Sequence, residues 1–309
     1  MNKVFKYILI LLIIILGSGI LLLIYNSKDN EEIFRDTESK TEDDLYLNVD
    51  IKDNSNNSLL TITENETYSY DKYTIVKSND SSENIGFWFG RNKDFKRPNS
   101  PLSINELKEY NSYYIGNDTK VIYLTFDEGI NDSQANKNLD TLKKHNIKAT
   151  FFVTKGFIEA NPEIVTRMKN EGHVIGNHTY SHPNMAKVAH EDPERFIKEL
   201  IITDEAFKEV TGTEMDKVFR FPEGTFSKEA LDYANQLGYK SIFWSFAYKD
   251  WDADWNSKDE ALEWMKNYYH PGAIYLLHGV NKANAEALDE FIIYMKDLGY
   301  EFDVVTNLN

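Results

Sequence analysis

The chain contains two adjacent acids, Asp127 and Glu128, and two histidines four positions apart, His178 and His182. If the two histidines lie on one helical turn, their imidazole nitrogens could bind the same metal ion. One carboxylate of the acidic pair would complete a site with two histidines and one acid, which leaves positions open for water, as a catalytic metal requires. These residues predict a metal-dependent hydrolytic site. The alternative for the two acids is a solvated turn before Gly129.

Two further residues with reactive side chains lie in or at the end of apolar runs. Arg220 lies within VFRF, where an unpaired charge would be costly, so it needs a carboxylate partner. Asp127 and Asp250 are the candidates for that partner. His278 ends the run AIYLLH, and it is either a functional group or a histidine whose hydrogen bonds are satisfied inside the core.

From about residue 119, apolar strands alternate with amphipathic helices. Asn161-Pro162 and Asp192-Pro193 each predict a helix start, because Asn and Asp cap helices and proline suits the first helical position. The alternation of strand and helix predicts a parallel sheet. About seven strands fit a closed, irregular β/α barrel better than the alternative, a doubly wound open sheet. The predicted strands are VIYLTF, ATFFV, HVIGNH, VFRF, YKSIFWSF, AIYLLH and EFDVV.

The reactive residues follow these strands at their carboxyl ends. In a β/α barrel the carboxyl ends meet at one mouth, where active sites lie. Five segments therefore deliver carboxylates, imidazoles and an arginine to one rim. Trp251 and Trp255 could form a wall that stacks on a sugar, or they could pack in the core. The five segments are Asp127-Glu128-Gly129, His178, Phe221-Pro222-Glu223-Gly224, Asp250-Trp251 and His278.

The first residues predict a membrane segment. Residues 7–25 form 19 uncharged positions, and a helix of that length spans about 28 Å, close to the hydrocarbon thickness of a bilayer. Lys3 and Lys6 precede this run, so the remainder of the chain is expected outside the cytoplasm. Residues 1–25 are therefore predicted to be a transmembrane signal anchor. A cleaved signal peptide, which would release a secreted protein, is the alternative.

Two segments separate this anchor from the main domain. Residues 26–44 carry eight acids and three bases with few apolar groups, which predicts a disordered acidic tether. Residues 45–85 contain alternating apolar runs that predict a small β unit or linker. So short a unit can hardly bury a core alone, and it must lean on the main domain. The main domain is assigned to residues 86–309, with its core at residues 119–305.

The composition excludes several classes of protein. The 309 residues suffice for one large domain with additions or for two ordinary domains. A net charge of −16 excludes a protein that binds nucleic acid by neutralising phosphates. Because the chain has no cysteine, disulfide frameworks, thiol nucleophiles and zinc–thiolate sites are also excluded.

The order of the motifs resembles that of a known family. TFDEG, HTYSH, RFPEG, a DW pair and LLH are similar, in this order, to the five motifs of the polysaccharide deacetylases, which are carbohydrate esterase family 4 with its NodB homology domain. Each motif alone is weak, but the five in order, each at a strand end, are specific. GFWFGRN, FWSFAYKDW and HPGAIYLLH further resemble the spore-cortex peptidoglycan N-acetylmuramic acid deacetylases that initiate muramic-δ-lactam formation. The family implies an α/β fold, a distorted β/α barrel of about seven parallel strands.

The resemblance implies catalytic roles at matching positions. Asp127 would be the general base that takes a proton from water, and Arg220 would hold it ionised. His278 would be the general acid that protonates the leaving amine, and Asp250 would help to keep it charged. The residues implied to contact the substrate are Pro222, Glu223, Gly224, Trp251 and Leu276.

The resemblance also implies a divalent metal, usually zinc. Glu128, His178 and His182 occupy the positions of its ligands. Glu128 departs from the family pattern, because an aspartate usually stands there and a glutamate is one methylene longer. Glu223 is a second departure, because an aromatic residue is common at that position, and the substrate groove would differ accordingly.

Together these features predict a membrane-anchored, extracytoplasmic enzyme that removes the N-acetyl group of N-acetylmuramic acid from peptidoglycan strands, a step toward muramic-δ-lactam during sporulation. One alternative is a deacetylase for N-acetylglucosamine in peptidoglycan or a chitin-type glycan. A second is a wall-binding protein whose catalytic site has decayed. A third is a glycosidase, because carboxylates at a barrel rim also suit that chemistry.

Overall fold

The computed structural model describes residues 47–52, 59–64, 66–91, 93–129 and 134–309. The predicted anchor at residues 1–25 and the predicted tether at residues 26–44 lie outside the described residues. Within the described ranges, no helix is both long enough and apolar enough to cross a membrane.

The described chain consists of strands joined by helices and short turns. The strands are β1 (Leu47–Lys52), β2 (Leu59–Glu64), β3 (Thr67–Tyr70), β4 (Tyr73–Val76), β5 (Ile85–Gly86), β6 (Ser112–Tyr113), β7 (Val121–Glu128), β8 (Thr150–Val153), β9 (Val174–Asn177), β10 (Val218–Phe219), β11 (Thr225–Phe226), β12 (Lys240–Ile242), β13 (Ala273–His278) and β14 (Glu301–Asp303). The helices are α1 (Ile104–Glu109), α2 (Ala135–His145), α3 (Lys155–Ala160), α4 (Pro162–Asn170), α5 (Met185–Glu191), α6 (Pro193–Thr211), α7 (Lys228–Gln236), α8 (Lys258–Asn267) and α9 (Lys282–Asp297). Short 3₁₀ turns cover Pro222–Gly224 and Val305–Asn307.

The central sheet is built from parallel strands in the order β13-β7-β8-β9-β10-β12-β6, and β14 pairs with the first residues of β7. Single backbone bridges, Ile115 to Ala273 and Phe246 to Tyr275, connect the two ends of this order. The sheet therefore curves round as an incompletely closed barrel, and the predicted parallel α/β architecture is confirmed. The sequence does not predict β6, because a two-residue strand is too short to show an alternating pattern.

Strands β7, β8 and β9 are buried on both faces. Every residue of β7 after Val121 is buried, and so are all residues of β8 and β9. Parallel strands that are buried on both faces have near-continuous apolar sequences, as VIYLTF and TFFV have. Asp127 and Glu128 at the end of β7, and Arg220 directly after β10, are therefore buried together with their strands. Charged groups placed in this way need compensating partners.

Helix boundaries follow the predicted signals with one exception. Helix α6 begins at Pro193, and Asp192 Oδ1 accepts a hydrogen bond from a backbone N–H of its first turn at 3.0 Å. Helix α4 begins at Pro162, but Asn161 does not cap it, so that part of the prediction is wrong. The reason is that helix α3 ends at Asn161, whose amide donates to the carbonyl of Phe157 at 3.3 Å.

The region before the main domain forms two antiparallel hairpins, β1–β2 and β3–β4. In the second hairpin, Ile75 is 1% exposed and belongs to the apolar core of the main domain. The backbone N–H of Val76 donates to Oε1 of Gln236 on α7 at 2.7 Å, and that amide donates back to the Val76 carbonyl at 3.0 Å. The second hairpin thus packs against the main domain, because so small a unit cannot bury a core of its own.

Candidate active site

A cavity of about 520 Å³ lies at the carboxyl ends of the strands. Each of the five segments that the sequence places at the rim contributes a lining residue, so their predicted convergence is confirmed. The lining residues are Asp127, His178, His182, Phe221, Glu223, Trp244, Ala247, Tyr248, Trp251, Leu276 and His278.

Asp127 and Arg220 form a buried ion pair beside this cavity. Nη1 of Arg220 donates to Oδ1 of Asp127 at 2.7 Å, and the arginine is completely buried. The other groups of the guanidinium donate to backbone carbonyls, Nε to Ile242 at 3.0 Å and Nη2 to Phe243 at 3.2 Å. Of the two candidate partners for the arginine, Asp127 rather than Asp250 is the one observed.

The ion pair determines the charge of Asp127. Burial alone would raise the pKa of this carboxyl, but the charge of Arg220, together with the imidazoles of His178 and His278, lowers the pKa below its ordinary value. Asp127 remains 8% exposed, so its carboxylate reaches the cavity. The cavity therefore contains a carboxylate that stays ionised at neutral pH.

His178 and His182 lie in a loop and not on a helical turn, so this part of the prediction is wrong. Thr179 and His182 have φ angles of 72° and 55°, in the left-handed region that interrupts a right-handed helix. The loop nevertheless brings the two imidazoles together, with their ring centroids 4.9 Å apart.

His178 is neutral and has a defined tautomer. Burial, aided by the charges of His182 and Arg220, lowers its pKa to about 4, although Asp127 acts in the opposite direction. Nδ1 of His178 lies 2.8 Å from the carbonyl oxygen of Arg220, and a carbonyl can only accept, so this nitrogen carries the proton. Nε2 is then the basic nitrogen, and it lies 3.7 Å from Oδ2 of Asp127.

Buried polar side chains hold the histidine loop in shape. Oδ1 of Asn177 accepts from the Thr179 N–H at 2.8 Å, and the Asn177 amide donates to Oδ1 of Asp204 at 2.8 Å. Glu199 accepts from the N–H of Ser181 at 2.8 Å and from its hydroxyl at 2.6 Å. Both carboxylates belong to α6 and are less than one-tenth exposed. These bonds offset the cost of left-handed backbone at non-glycine residues.

The three predicted metal ligands are not brought together as a set. Glu128 follows Asp127 directly in β7, and successive side chains of a strand leave opposite faces. The Glu128 carboxylate occupies the space beside Gly279, where Oε2 would lie 1.9 Å from a Cβ, and it does not line the cavity with His178 and His182. Among the described residues, no group of three or more His, Asp or Glu side chains is placed to hold a metal ion. The residues present therefore do not fit the three-ligand site that the resemblance implies.

His278 is paired with a second buried acid. Nδ1 of His278 lies 2.7 Å from Oδ1 of Asp250, and the His278 backbone N–H donates to the other carboxylate oxygen at 3.0 Å. Asn284 of α9 donates to that same oxygen at 2.5 Å. Burial alone would lower the pKa of His278, but Asp250 raises it above its ordinary value. Because Nδ1 is engaged by Asp250, the proton that His278 could deliver is the one on Nε2.

Asp127 and His278 are direct neighbours across two paired strands. They are register partners on β7 and β13, and the N–H of Gly279 donates to the Asp127 carbonyl at 3.2 Å. Both side chains reach the same cavity. Leu276 lies two positions before His278 on the same strand face, lines the cavity and is 6% exposed. The site thus offers an ionised carboxylate, an imidazole with a raised pKa and an apolar wall.

The turn at Pro222–Gly224 presents one side chain to the cavity. Glu223 is exposed, lines the cavity and has a left-handed φ of 56°. Pro222 and Gly224, both predicted to contact the substrate, are buried and do not line the cavity. A Cβ on Gly224 would lie 2.6 Å from the ring of Trp244, so this glycine permits close packing instead. Pro222 and Gly224 shape the turn that aims Glu223.

The aromatic side chains of the rim divide into predicted and unpredicted members. Trp251 is 61% exposed, lines the cavity and lies 6.3 Å from the His278 ring. Trp255 does not line the cavity. Trp244 and Tyr248 line it and are missed by the sequence reasoning, although both fall at the end of the predicted YKSIFWSF run or shortly after it.

Comparisons with known proteins show what the chain is similar to. A family model described as polysaccharide deacetylase matches residues 115–242. The peptidoglycan-N-acetylmuramic acid deacetylase PdaA of Bacillus subtilis is 39% identical over 230 residues, which are 74% of this chain and 86% of that protein. The solved structure of Bacillus subtilis PdaA, a family 4 carbohydrate esterase, has a TM-score of 0.70 and 38% identity, and covers 74% of this chain and 97% of that one. The peptidoglycan-N-acetylglucosamine deacetylase of Bacillus cereus is 38% identical over 185 residues, which are 59% of this chain and 65% of that protein.

Proposed function

The chain belongs to the polysaccharide deacetylase family, and we propose that it removes the N-acetyl group of N-acetylmuramic acid in peptidoglycan. The observation that carries this proposal is the pairing of Asp127 and His278 in register at one cavity, the first held ionised and the second with its pKa raised. Hydrolysis of an amide needs a proton acceptor and a proton donor at one bond. The similarity to the muramic acid deacetylase PdaA over most of the chain supports this choice of sugar.

Asp127 acts as the base in this proposal. Its carboxylate takes a proton from the water that attacks the acetamido carbonyl. Arg220 keeps the carboxylate ionised and, through its bonds to the Ile242 and Phe243 carbonyls, fixes its position. A base held at a fixed position contributes about 10²–10⁴-fold to the rate.

His278 acts as the acid. The tetrahedral intermediate collapses only if the departing amine is protonated, because an amide anion is a very poor leaving group. Asp250 holds the proton on Nδ1 and favours the imidazolium, so Nε2–H can donate to the leaving nitrogen. Leu276 is placed to contact the acetyl methyl group, and Trp251 is placed to stack on a sugar ring.

A divalent metal stays a prediction. The neighbouring imidazoles of His178 and His182 support a shared cation, whereas the position of Glu128 on the opposite strand face does not. Anchoring by residues 7–25, an extracytoplasmic location and a role in spore-cortex δ-lactam formation belong to the proposal as well. The uncharged N-terminal run supports the first two, and the motif likeness to the spore-cortex subgroup supports the third.

The main alternative is deacetylation of N-acetylglucosamine. It is favoured by the 38% identity to the Bacillus cereus enzyme, which acts on that sugar according to its name. The second alternative, a wall-binding protein with a decayed site, is disfavoured by the intact Asp127–Arg220 and His278–Asp250 pairs.

The deciding experiment measures acetate release by the full-length protein from three substrates: peptidoglycan strands, peptidoglycan strands stripped of stem peptides, and chitin oligomers. Each is assayed with zinc and with a chelator. Asp127→Asn serves as the inactive variant and the exposed Asp259→Asn as its matched control. Release from either peptidoglycan substrate, lost only in Asp127→Asn, with mass spectrometry of the glycan fragments placing the lost acetyl group on muramic acid, supports the proposal.

Other outcomes lead elsewhere. Release from chitin oligomers alone, or from peptidoglycan with the acetyl group lost from glucosamine, would support the glucosamine alternative. Binding of peptidoglycan without release from any substrate would favour the wall-binding alternative. If the rate of acetate release falls sharply in chelator and returns with zinc, the enzyme depends on a metal despite the position of Glu128.

A further inference from the structure

We propose that Arg91 is a positioning residue that fixes, from outside the cavity, the wall formed by Ala247 and Tyr248. The inference rests on the proposed function, because this wall bounds the space in which the glycan would bind. Arg91 belongs to GFWFGRN, a segment that resembles the spore-cortex subgroup and to which the proposed reaction gives no role. Its contacts give this segment a role in shaping the cavity.

The wall belongs to a loop. Ala247 and Tyr248 follow β12 in a stretch that is neither helix nor strand. The loop is bonded to β13 just before the wall, where the Leu276 N–H donates to the Phe246 carbonyl at 2.9 Å. Backbone outside regular elements lacks the continuous ladder of hydrogen bonds that holds a strand, so its position depends on contacts from other segments.

Arg91 contacts this wall directly and also through a second ring. Nη2 of Arg91 donates to the carbonyl of Ala247. The guanidinium carbon lies 4.9 Å from the ring centroid of Trp264 on α8. The Trp264 ring stacks on Tyr248, with the centroids 5.7 Å apart and the planes at 13°. One cation therefore contacts both the loop backbone and the ring that supports Tyr248.

The guanidinium of Arg91 is held among aromatic rings. Its carbon lies 5.3 Å from the ring centroid of Tyr268 and 5.5 Å from that of Phe89. The N–H of Gly90 donates to the Asn99 carbonyl at 2.9 Å, and a Cβ on Gly90 would collide with the Asn99 side chain, so the backbone before Arg91 is closely packed. A cation over aromatic faces is attracted to them, most strongly where water is excluded.

The chemistry of arginine suits this position. A planar guanidinium can face a ring and donate hydrogen bonds from its edge at the same time, whereas an ammonium is a compact point charge. Arg91→Met removes both the bond to Ala247 and the attraction to Trp264. Ala247 and Tyr248 supply neither the proposed base nor the proposed acid, so their displacement should weaken glycan binding and leave the chemical step nearly unchanged.

The test compares the full-length wild type with Arg91→Met and Arg91→Lys. Acetate release is measured from peptidoglycan strands stripped of stem peptides and from para-nitrophenyl acetate, an ester without a sugar. We expect the apparent KM for the strands to rise about three- to tenfold in Arg91→Met, with kcat and the rate on the ester changing less than about twofold. Arg91→Lys, which keeps the charge, should give a KM between those of the wild type and Arg91→Met.

Lys266→Met is the matched control and should keep the wild-type KM. Lys266 is a cation on α8 that lies 4.6 Å from the ring centroid of Tyr294, a residue that does not line the cavity. A wild-type KM in Arg91→Met overturns the inference while leaving deacetylation intact. An equal loss of rate on strands and ester with KM unchanged also overturns it, because the role of Arg91 would then be structural alone. No release from peptidoglycan by the wild type rejects the proposed function itself, and the inference with it.

Hydrogen exchange provides a second measurement that needs no substrate. Residues 244–251, which contain the wall, should exchange faster in Arg91→Met than in the wild type and by a smaller margin in Arg91→Lys. The buried strand β8 should exchange at the wild-type rate in both variants. Unchanged exchange of residues 244–251 would show that Arg91 does not hold the wall, and faster exchange throughout the chain would show a general loss of stability. Either result overturns the inference.

Discussion

The Asp127–Arg220 and His278–Asp250 pairs each bring a carboxylate to its partner at 2.7 Å, and Asp127 and His278 lie on the neighbouring strands β7 and β13. They differ in which member reaches the cavity. In the first pair the cation is completely buried and the carboxylate is presented, and in the second the carboxylate is completely buried and the imidazole is presented. The hidden partner thus decides the protonation state of the presented one. When the cation is the buried member, the contact keeps the presented carboxylate ionised as a base. When the carboxylate is the buried member, the contact keeps the presented imidazole charged as an acid.

Breaking the first pair at its presented member should have the largest effect. Asp127→Asn removes the base while leaving an oxygen that can still accept from Arg220. We expect kcat to fall about 10³-fold with little change in KM. Chemical unfolding should show that the free energy of unfolding falls by about 3–5 kcal/mol, because a buried guanidinium loses its counter-charge. A variant with more than a tenth of wild-type kcat would remove Asp127 from the role of base.

The loss of kcat caused by replacing His278, the presented member of the second pair, should depend on the leaving group of the substrate. His278→Gln should lower kcat for an acetamido substrate about 10²–10³-fold, because the amine must leave protonated. For an aryl acetate ester, whose leaving group needs no proton, the loss should stay below about tenfold. Asp127→Asn should be impaired on both substrates. Equal losses of His278→Gln on amide and ester would show that the histidine does not act as the acid.

Changing the hidden member of the second pair should shift a pH profile. Asp250 raises the pKa of His278, so the acid stays protonated to a higher pH than an ordinary imidazole. In Asp250→Asn this pKa falls, and the alkaline limb of kcat should move to lower pH. At neutral pH the rate should fall about tenfold or more. The exposed neighbour Asp252→Asn is the control, and an unmoved alkaline limb in Asp250→Asn would separate this carboxylate from the titration of His278.

Replacing Tyr248, which contacts the second pair only through Asn284, should have the smallest effect of these substitutions. The hydroxyl of Tyr248 donates to Oδ1 of Asn284, whose amide in turn donates to Asp250. Tyr248→Phe removes this hydrogen bond and the one that the hydroxyl accepts from the Asn256 amide at 3.4 Å. Neither bond involves His278 or Asp250, so kcat should change less than about threefold and the free energy of unfolding should fall by about 1–2 kcal/mol. Urea unfolding and acetate release measure the two quantities. A loss in kcat as large as that of Asp250→Asn would mean that Tyr248 touches the substrate directly.

Sequence reasoning located Asp127 and His278, the presented residues of the two pairs, because each lies at or next to the end of a strand. Asp127 and His278 follow apolar runs of a parallel sheet, and the carboxyl ends of such strands meet at one edge. The need of Arg220 for a carboxylate follows from its place in an apolar run, and only the choice between Asp127 and Asp250 had to wait for the structure. The alternation of strands and helices predicted the architecture for the same reason.

The predictions that are wrong concern side chains whose direction depends on the local backbone conformation. The sequence pattern places Asp127 and Glu128 beyond the strand, whereas β7 extends through Glu128. The side chains of the two acids therefore leave opposite faces of the strand. The histidine loop contains left-handed residues without any glycine to signal them, since bonds from Asn177 and Glu199 stabilise it. Asn284 could not be found, because nothing in the sequence reports which turn of α9 faces Asp250.

The register of β7 with β13 also sets a length scale. Paired strands lie about 4.8 Å apart, so the backbone positions that carry the proposed base and acid are one strand spacing from each other. A carbonyl carbon and its amide nitrogen, only about 1.3 Å apart, can be served from the two sides at once. The Gly279 N–H to Asp127 carbonyl bond locks this spacing. The pairing of the two strands therefore fixes the distance between the backbone positions of the two groups.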